Sequence, residues 1–146
     1  MAFMVWNDQL SVENEVLDRD HQQIVALINE LYEAILAGHG KDVVAGIVER
    51  LAELASAHFN REEAIFMATE YPDVDTHKQE HNAMRIWIAD LRERIHEGTA
   101  IAPSLEVMNY LKDWLFEHQV GSDHKYIPYL TTVNSSKPKQ VLLVLD

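Results

Sequence analysis

Apolar residues recur at intervals of three and four along most of the chain, a pattern typical of helices that bury one face. The pattern is interrupted at Gly38 and Gly40, at Pro72, and in the segment EGTAIAP. Because glycine and proline disfavour helix, these interruptions mark the connections. The predicted helices run from Asp18 to about Ala37, from Lys41 to about Met67, from about Asp75 to His96, and from Leu105 to about Tyr126 or beyond.

Four helices of about 20 residues, joined by short connections, favour antiparallel neighbours. The predicted fold is therefore all-α, an up-down-up-down four-helix bundle with an N-terminal arm and a short C-terminal tail. We assign the bundle to residues 1–132, including the arm at 1–17, and the tail to 133–146. Within the tail, VNSSKPKQ resembles a polar linker and VLLVL has strand character. The tail could be a packing strand, a tag for a partner or residues foreign to the natural chain.

Composition narrows the class of protein. The chain has 146 residues, of which 47% are hydrophobic, enough for one globular domain with a real core. No apolar run approaches the roughly 18 residues of a membrane span, and no secretory signal is visible, so we expect no membrane insertion and a cytoplasmic location. The formal charge is -12 without a basic stripe, which argues against nucleic acid as a partner.

Candidate chemistry lies in the histidines, because the chain has no cysteine and any metal must bind nitrogen and oxygen. In HFNREE, His58 and Glu62 are four residues apart and share one helix face. In HKQEH, His77 and His81 have the same spacing; Lys78 stands where a zinc protease would need Glu. With one histidine from the first helix and two groups from the last, the candidate metal ligands are His21, His58, Glu62, His77, His81, His118 and Asp123.

The spacing between His118 and Asp123 does not fit a regular helix. Five residues correspond to about 140° around an ideal α-helix, so the two side chains would not share a face. Gly121 lies between them and would permit a local distortion. We therefore predict a π-bulge or loosened turn near Gly121, which regular α-helical bonding through Ser122 would refute.

Counting donor atoms indicates a metal pair with one free position. Five imidazoles, two carboxylates that each bridge, and one oxo or hydroxo bridge fill eleven of the twelve positions around two octahedral ions. These donors suit iron better than calcium or magnesium, while manganese or zinc would also fit. Burying so many polar groups without a metal would be costly. The other histidines, His39, His96 and His124, lie at helix ends or off the pattern, and we expect them to be solvated.

Jointly these motifs closely resemble the hemerythrin family over roughly Trp6 to Leu130. The matching segments are D-x-x-H at Asp18 to His21, H-F-x-x-E-E at His58 to Glu63, H-x-x-E-H at His77 to His81, and H-x-x-x-x-D-x-x-Y at His118 to Tyr126. The resemblance implies two iron ions bridged by oxo or hydroxo, with dioxygen binding reversibly at one of them. It assigns His77, His81 and His118 to a saturated iron, His21 and His58 to an open one, and Glu62 and Asp123 to the bridges.

A reversible carrier needs a dry, apolar pocket beside the open iron. The expected walls are Ile24, Phe59, Trp114 and Leu115, although each would also suit simple core packing. Asp18 and Tyr126 are candidates for orienting the ligands, with a helix N-cap and a packing residue as the respective alternatives.

Two positions depart from the family's usual pattern without removing a ligand. Asp20 stands where the family often has Gln, and Gln119 stands where an apolar residue is common. We expect Gln119 to make the pocket wetter and to shorten the life of the oxygenated state.

The predicted function is oxygen transport, storage or delivery, without enzymatic activity and with a possible protein partner that receives oxygen. The first alternative is a module that senses oxygen or nitric oxide. The second is a di-iron oxidase or peroxidase, but such bundles typically carry four carboxylates and a Glu-x-x-His pair on each of two helices. Here the only such pair is Glu93 and His96. Iron storage is a weaker alternative.

Overall fold

Four helices form the framework of the protein, in a computed structural model that describes residues 3–97 and 105–130. They are α1 (Glu15–Leu36), α2 (Lys41–Thr69), α3 (Val74–Glu97) and α4 (Leu105–Glu117). Helix α1 packs on α2 and α4, and α2 packs on α3. The predicted all-α four-helix bundle is confirmed, and within the described ranges there is no strand. The predicted tail at 133–146 lies outside them.

The ends of α1 show how the chain sets helix boundaries. Asn14 caps the helix, because its side-chain oxygen accepts a hydrogen bond from the Leu17 amide at 3.0 Å. Helix α1 therefore begins three residues earlier than predicted, and Asp18 lies inside it. At the other end Gly38 has a φ of 73°, a left-handed conformation that glycine adopts without steric cost and that stops the helix.

The N-terminal arm packs against α1. The side-chain amide of Asn29 and the backbone of Met4 exchange two hydrogen bonds, at 2.7 and 2.8 Å. The ring of Phe3 stacks on Tyr32, with centroids 4.4 Å apart. None of the helices in the described ranges is long and apolar enough to cross a bilayer.

Two clusters of buried apolar side chains leave a polar layer between them. The larger cluster fills the bundle and includes Phe59, while the smaller one includes Phe66 and contacts the arm through Val12. Phe59 stacks on His81 at a centroid distance of 4.1 Å, and Phe66 meets His77 edge-on at 4.7 Å. The histidine-rich layer is thus held between two apolar clusters, where water has little access.

Candidate metal centre

Helices α1, α2 and α3 and the turn that follows α4 contribute to one buried polar cluster. The seven predicted metal ligands meet there, and each is at most 4% exposed. Their donor atoms fall into two groups with two members in common. The larger group consists of Glu62, His77, His81, His118 and Asp123, and the smaller of His21, His58, Glu62 and Asp123.

In the larger group, one oxygen of each carboxylate faces two of the three imidazoles. Glu62 Oε1 lies 2.9 Å from His81 Nε2 and 3.5 Å from His77 Nε2. Asp123 Oδ1 lies 2.9 Å from His77 Nε2 and 3.0 Å from His118 Nε2. Five protein donors thus surround one point.

In the smaller group, the second oxygen of each carboxylate faces the other two imidazoles. Glu62 Oε2 lies 3.4 Å from His58 Nε2, and Asp123 Oδ2 lies 3.3 Å from His21 Nε2. The two imidazole Nε2 atoms are 2.8 Å apart. Only four protein donors surround this second point, and two of the four come from the carboxylates that the two groups share.

The spacing of these donors fits two octahedral ions. With bonds of about 2.1 Å, adjacent donors on such an ion are about 3.0 Å apart, close to most of the separations above. Several donors lie this close without a hydrogen-bond partner in the described part of the chain, which would be costly in a metal-free core. They are Glu62 Oε1, the Nε2 atoms of His77, His81 and His118, and both oxygens of Asp123.

A π-helical turn brings the last two ligands together. It spans His118–Asp123 and follows α4 directly, before a 3₁₀ turn at His124–Tyr126. Bonding between residues five apart places those residues one above the other. The predicted distortion is confirmed. Glycine is not its cause, however, because Gly121 does not have a positive φ and a Cβ there would meet open space.

An apolar cavity of about 20 Å³ borders the smaller ligand group. The four predicted pocket residues, Ile24, Phe59, Trp114 and Leu115, all line it, as do His21, His58, His118 and Gln119. A space of this size has room for one small molecule. The cavity therefore lies beside the group with fewer protein donors.

The comparisons with known proteins agree with this geometry. The model of the hemerythrin HHE cation binding domain matches residues 12–130. The chain belongs to the hemerythrin family. A bacteriohemerythrin of Stenotrophomonas maltophilia (strain R551-3) is 30% identical over 126 residues, which cover 86% of this chain and 80% of the relative. Myohemerythrin-1 of Phascolopsis gouldii is 28% identical over 122 residues, covering 84% and 90% of the two chains.

A solved structure supports the same assignment. The crystal structure of a wild-type hemerythrin superposes with a TM-score of 0.84 at 26% identity, covering 89% of this chain and 99% of the other. The resemblance derived from the motifs is confirmed. Together with the two ligand groups, membership of the hemerythrin family indicates a di-iron centre.

Three histidines of the hemerythrin centre donate their Nδ1 hydrogen to a carboxylate on the preceding helix. His58 bonds to Asp20 at 3.0 Å, His81 to Glu63 at 2.8 Å, and His118 to Glu80 at 2.8 Å. Such partners fix the orientation and tautomer of a metal-binding imidazole and raise its basicity. We call Asp20–His58, Glu63–His81 and Glu80–His118 the carboxylate–imidazole pairs.

Each carboxylate of these pairs is itself held by a further donor. Arg61 donates to both oxygens of Asp20, at 2.9 and 3.0 Å, and Arg85 donates to Glu63 at 3.1 Å. Ser122 donates to Glu80 at 2.6 Å. The sequence analysis assigned none of the three carboxylates this role, although each directly precedes or follows a ligand on its own helix. That adjacency is the signal that could have found them.

The two residues proposed to orient ligands have different environments. The hydroxyl of Tyr126 is buried and donates a hydrogen bond to Glu62 Oε2, the carboxylate oxygen that faces His58. The carboxylate of Asp18 instead accepts from the Ser11 hydroxyl at 2.6 Å and the Val12 amide at 2.8 Å. Asp18 thus fastens the arm to α1 rather than orienting a ligand, because both of its carboxylate oxygens accept hydrogen bonds from the arm.

The remaining histidines differ in their exposure. His39 and His96 are exposed, as expected. His124, in contrast, is half-buried. Its Nε2 is fully enclosed and has no hydrogen-bond partner within the described ranges. The expectation of a solvated His124 was wrong, because it lies in the tight turn between two buried residues, Asp123 and Tyr126.

In the metal-free protein the buried charges hold protons on two of the ligands. Burial is the largest effect on His118 and lowers its pKa, but the charge of Asp123 and the hydrogen bonds to Asp123 and Glu80 together outweigh it and raise the pKa to about 10. Burial likewise lowers the pKa of His58, but the charge of Glu62 and the hydrogen bonds to Asp20 and Glu62 together raise it to about 9. The hydrogen bond from His118 lowers the pKa of Glu80 to about 2. Since a metal binds neutral imidazole, loading must displace these protons.

Proposed function

We propose that this chain binds dioxygen reversibly at a non-haem di-iron centre and serves oxygen transport, storage or delivery. The observation that carries the proposal is the unequal size of the two ligand groups, five protein donors against four, with the apolar cavity beside the smaller one. Membership of the hemerythrin family and the matching fold support oxygen binding at such a centre. The free position is thus directed at a space with room for a very small ligand.

We assign the ligands as two coordination sets that share their carboxylates. His77, His81 and His118 would hold one iron, His21 and His58 would hold the other, and Glu62 and Asp123 would serve both. When bound, the two ferrous ions supply the two electrons that dioxygen takes up on binding. The protein supplies the remaining conditions: the carboxylate–imidazole pairs orient the ligands, and the hydroxyl of Tyr126 holds Glu62 in place.

The walls of the cavity favour carriage over catalysis. Phe59 is 3% exposed, Leu115 and Ile24 are each 5% exposed, and together with Trp114 they separate the ligand space from solvent. A dry site denies the protons and co-substrates that would turn binding into turnover. Five imidazoles and two carboxylates also leave the centre less anionic than the four-carboxylate oxidase type, which disfavours higher oxidation states of iron. We therefore propose that the protein is not an enzyme.

A protein partner that receives oxygen and a cytoplasmic location stay predictions. A sensing role for oxygen or nitric oxide would use the same centre and differ only in what reads the bound state. Oxygen carriage needs only the ligand groups and the cavity, and both lie within the described residues. A sensor would need a further element that responds to the bound state.

The test is a cycle of oxygenation on the reduced, iron-loaded protein. We expect a visible absorption band to appear under air and to disappear under vacuum over repeated cycles, with one dioxygen taken up per two irons. His39→Ala, which changes an exposed histidine, is expected to behave like the wild type. His21→Ala removes a donor of the open iron and is expected to abolish the band. Immediate irreversible oxidation, or steady consumption of a reductant, would instead support an oxidase.

A further inference from the structure

Gln119 is a buried polar residue that the fold itself leaves unpaired. It lies in the π-helical turn directly after His118 and is 0% exposed. Neither its side-chain oxygen nor its side-chain nitrogen has a hydrogen-bond partner among the described residues. The great majority of buried polar side-chain atoms in proteins are hydrogen-bonded, so an amide with both ends unpaired calls for a functional explanation.

The location of Gln119 limits what that explanation can be. It lines the same cavity as His21 and His58, the two imidazoles of the smaller ligand group. The other cavity residues of α1, Ile24 and Ile28, are apolar and offer the amide no partner. A molecule inside the cavity is therefore the available partner for the amide.

The cavity is too small to hold a ligand and a water molecule at the same time. About 20 Å³ has room for one small molecule at a time, so a ligand at the free position and a water bridging it to Gln119 do not fit together. A water held by the amide would also need two or more polar partners, and once the histidines that line the cavity bind metal, the remaining walls are apolar. A ligand on the side of His21 and His58 is thus the partner that this location leaves for the amide, which differs from the expectation that Gln119 mainly makes the pocket wetter.

We propose that the side-chain amide of Gln119 donates a hydrogen bond to the small ligand held on the side of His21 and His58. Gln119 is then a specificity-determining residue, which favours ligands of two or three atoms with a hydrogen-bond-accepting end. The inference rests on the proposed function, because it assumes that the free metal position opens into this cavity.

Azide is the probe for this hydrogen bond, because it is small, anionic and accepts hydrogen bonds at its free end. The comparison uses Gln119→Leu, which keeps the size of the side chain and removes the donor. We expect azide to bind the oxidised, iron-loaded variant roughly two- to tenfold more weakly than the wild type, the effect of one net hydrogen bond. Oxygen release, measured by stopped flow, is expected to accelerate by a similar factor.

A matched control is available one helix away. Gln22 directly follows the ligand His21, as Gln119 follows His118, but its side chain is exposed. Gln22→Leu makes the same chemical change beside a ligand without touching the cavity, and we expect it to leave azide affinity and oxygen release unchanged. Gln119→Met, which also lacks a donor, replaces Gln119→Leu if that variant does not take up iron.

The metal-free protein gives a readout that does not depend on iron. Replacing an unpaired buried amide with an apolar side chain of similar size removes a desolvation cost. We expect Gln119→Leu to raise the urea midpoint of the metal-free protein and Gln22→Leu to leave it unchanged. An unchanged midpoint would show that the amide is paired within the protein, and equal azide affinities in wild type and Gln119→Leu would likewise overturn the inference. Irreversible oxidation of the wild type in air would instead contradict the proposed function.

Discussion

Replacing Asp20 with Asn tests how far the open iron depends on a carboxylate that does not touch it. Asp20 is 4% exposed and accepts hydrogen bonds from His58 Nδ1 at 3.0 Å and from Arg61 at 2.9 and 3.0 Å. Asn has almost the same shape and keeps one accepting oxygen. The substitution therefore removes the negative charge while leaving the orientation of the imidazole largely intact.

The expected magnitude follows from two opposing effects. A hydrogen bond to a charged group contributes about 1.5–3 kcal/mol, and loss of such a partner typically weakens metal binding about 10- to 100-fold. Without the charge of Asp20, however, His58 loses its proton more readily, which favours the neutral imidazole that a metal needs. Arg61, whose side chain is 29% exposed, can turn to solvent and adds little to the loss. We expect about tenfold weaker binding of the open iron, or about 1.4 kcal/mol.

The assay is an anaerobic titration of iron(II) against a chelator that competes for it. The wild type should load in two steps, and Asp20→Asn should weaken only the step that belongs to the side of His21 and His58. Asp113→Asn, which makes the same change at an exposed position of α4, serves as the control. Unchanged affinity for both irons, or an equal loss at both, would refute the reasoning.

Four further predictions follow from the centre. Tyr126→Phe removes the hydroxyl that donates to Glu62 and is expected to weaken the open iron about 10- to 100-fold in the same titration; full affinity would contradict this role. Near pH 8, zinc loading should release about two protons per chain, because the pKa values of His58 and His118 are about 9 and about 10 in the metal-free protein. Calorimetry in buffers of different ionisation enthalpy measures this release, and a value near zero would be inconsistent with it. These raised pKa values stabilise the metal-free fold fully below about pH 6.5, the unfolded pKa, and the stabilisation is lost as pH rises through 9 to 10, so the urea midpoint should fall over that range. Gly121→Ala should lower the free energy of unfolding by less than about 1 kcal/mol in a denaturant titration, because a Cβ meets open space; a larger loss would mean that the π-helical turn needs glycine.

The features that sequence could predict depend on the geometry of a single helix. His77 and His81 are four residues apart, so their common face follows from the helical repeat alone. The same repeat showed that His118 and Asp123 could not share a face, and the π-helical turn resolves that conflict. Such predictions need no knowledge of how neighbouring helices are rotated.

The features that sequence missed depend on that rotation. Glu63 and Glu80 each reach a histidine on the next helix, and nothing in the spacing within α2 or α3 specifies this contact. The D-x-x-H spacing makes Asp18 a candidate for orienting a ligand or for capping the helix, yet its carboxylate bonds to the arm. An acidic residue beside a ligand is therefore informative only after the packing of the helices is known.

The carboxylate–imidazole pairs run in one direction along the chain, from α1 to α2, from α2 to α3, and from α3 to the π-helical turn. In each pair, the residue that holds a neighbour's imidazole adjoins a ligand of its own helix. Opening one helix would therefore disturb donors on both sides of the di-iron centre. Because of this coupling, we expect the histidine-rich layer to open as a single cooperative unit in native-state hydrogen exchange. Amides of all the helices around the centre should then gain protection together when iron is loaded.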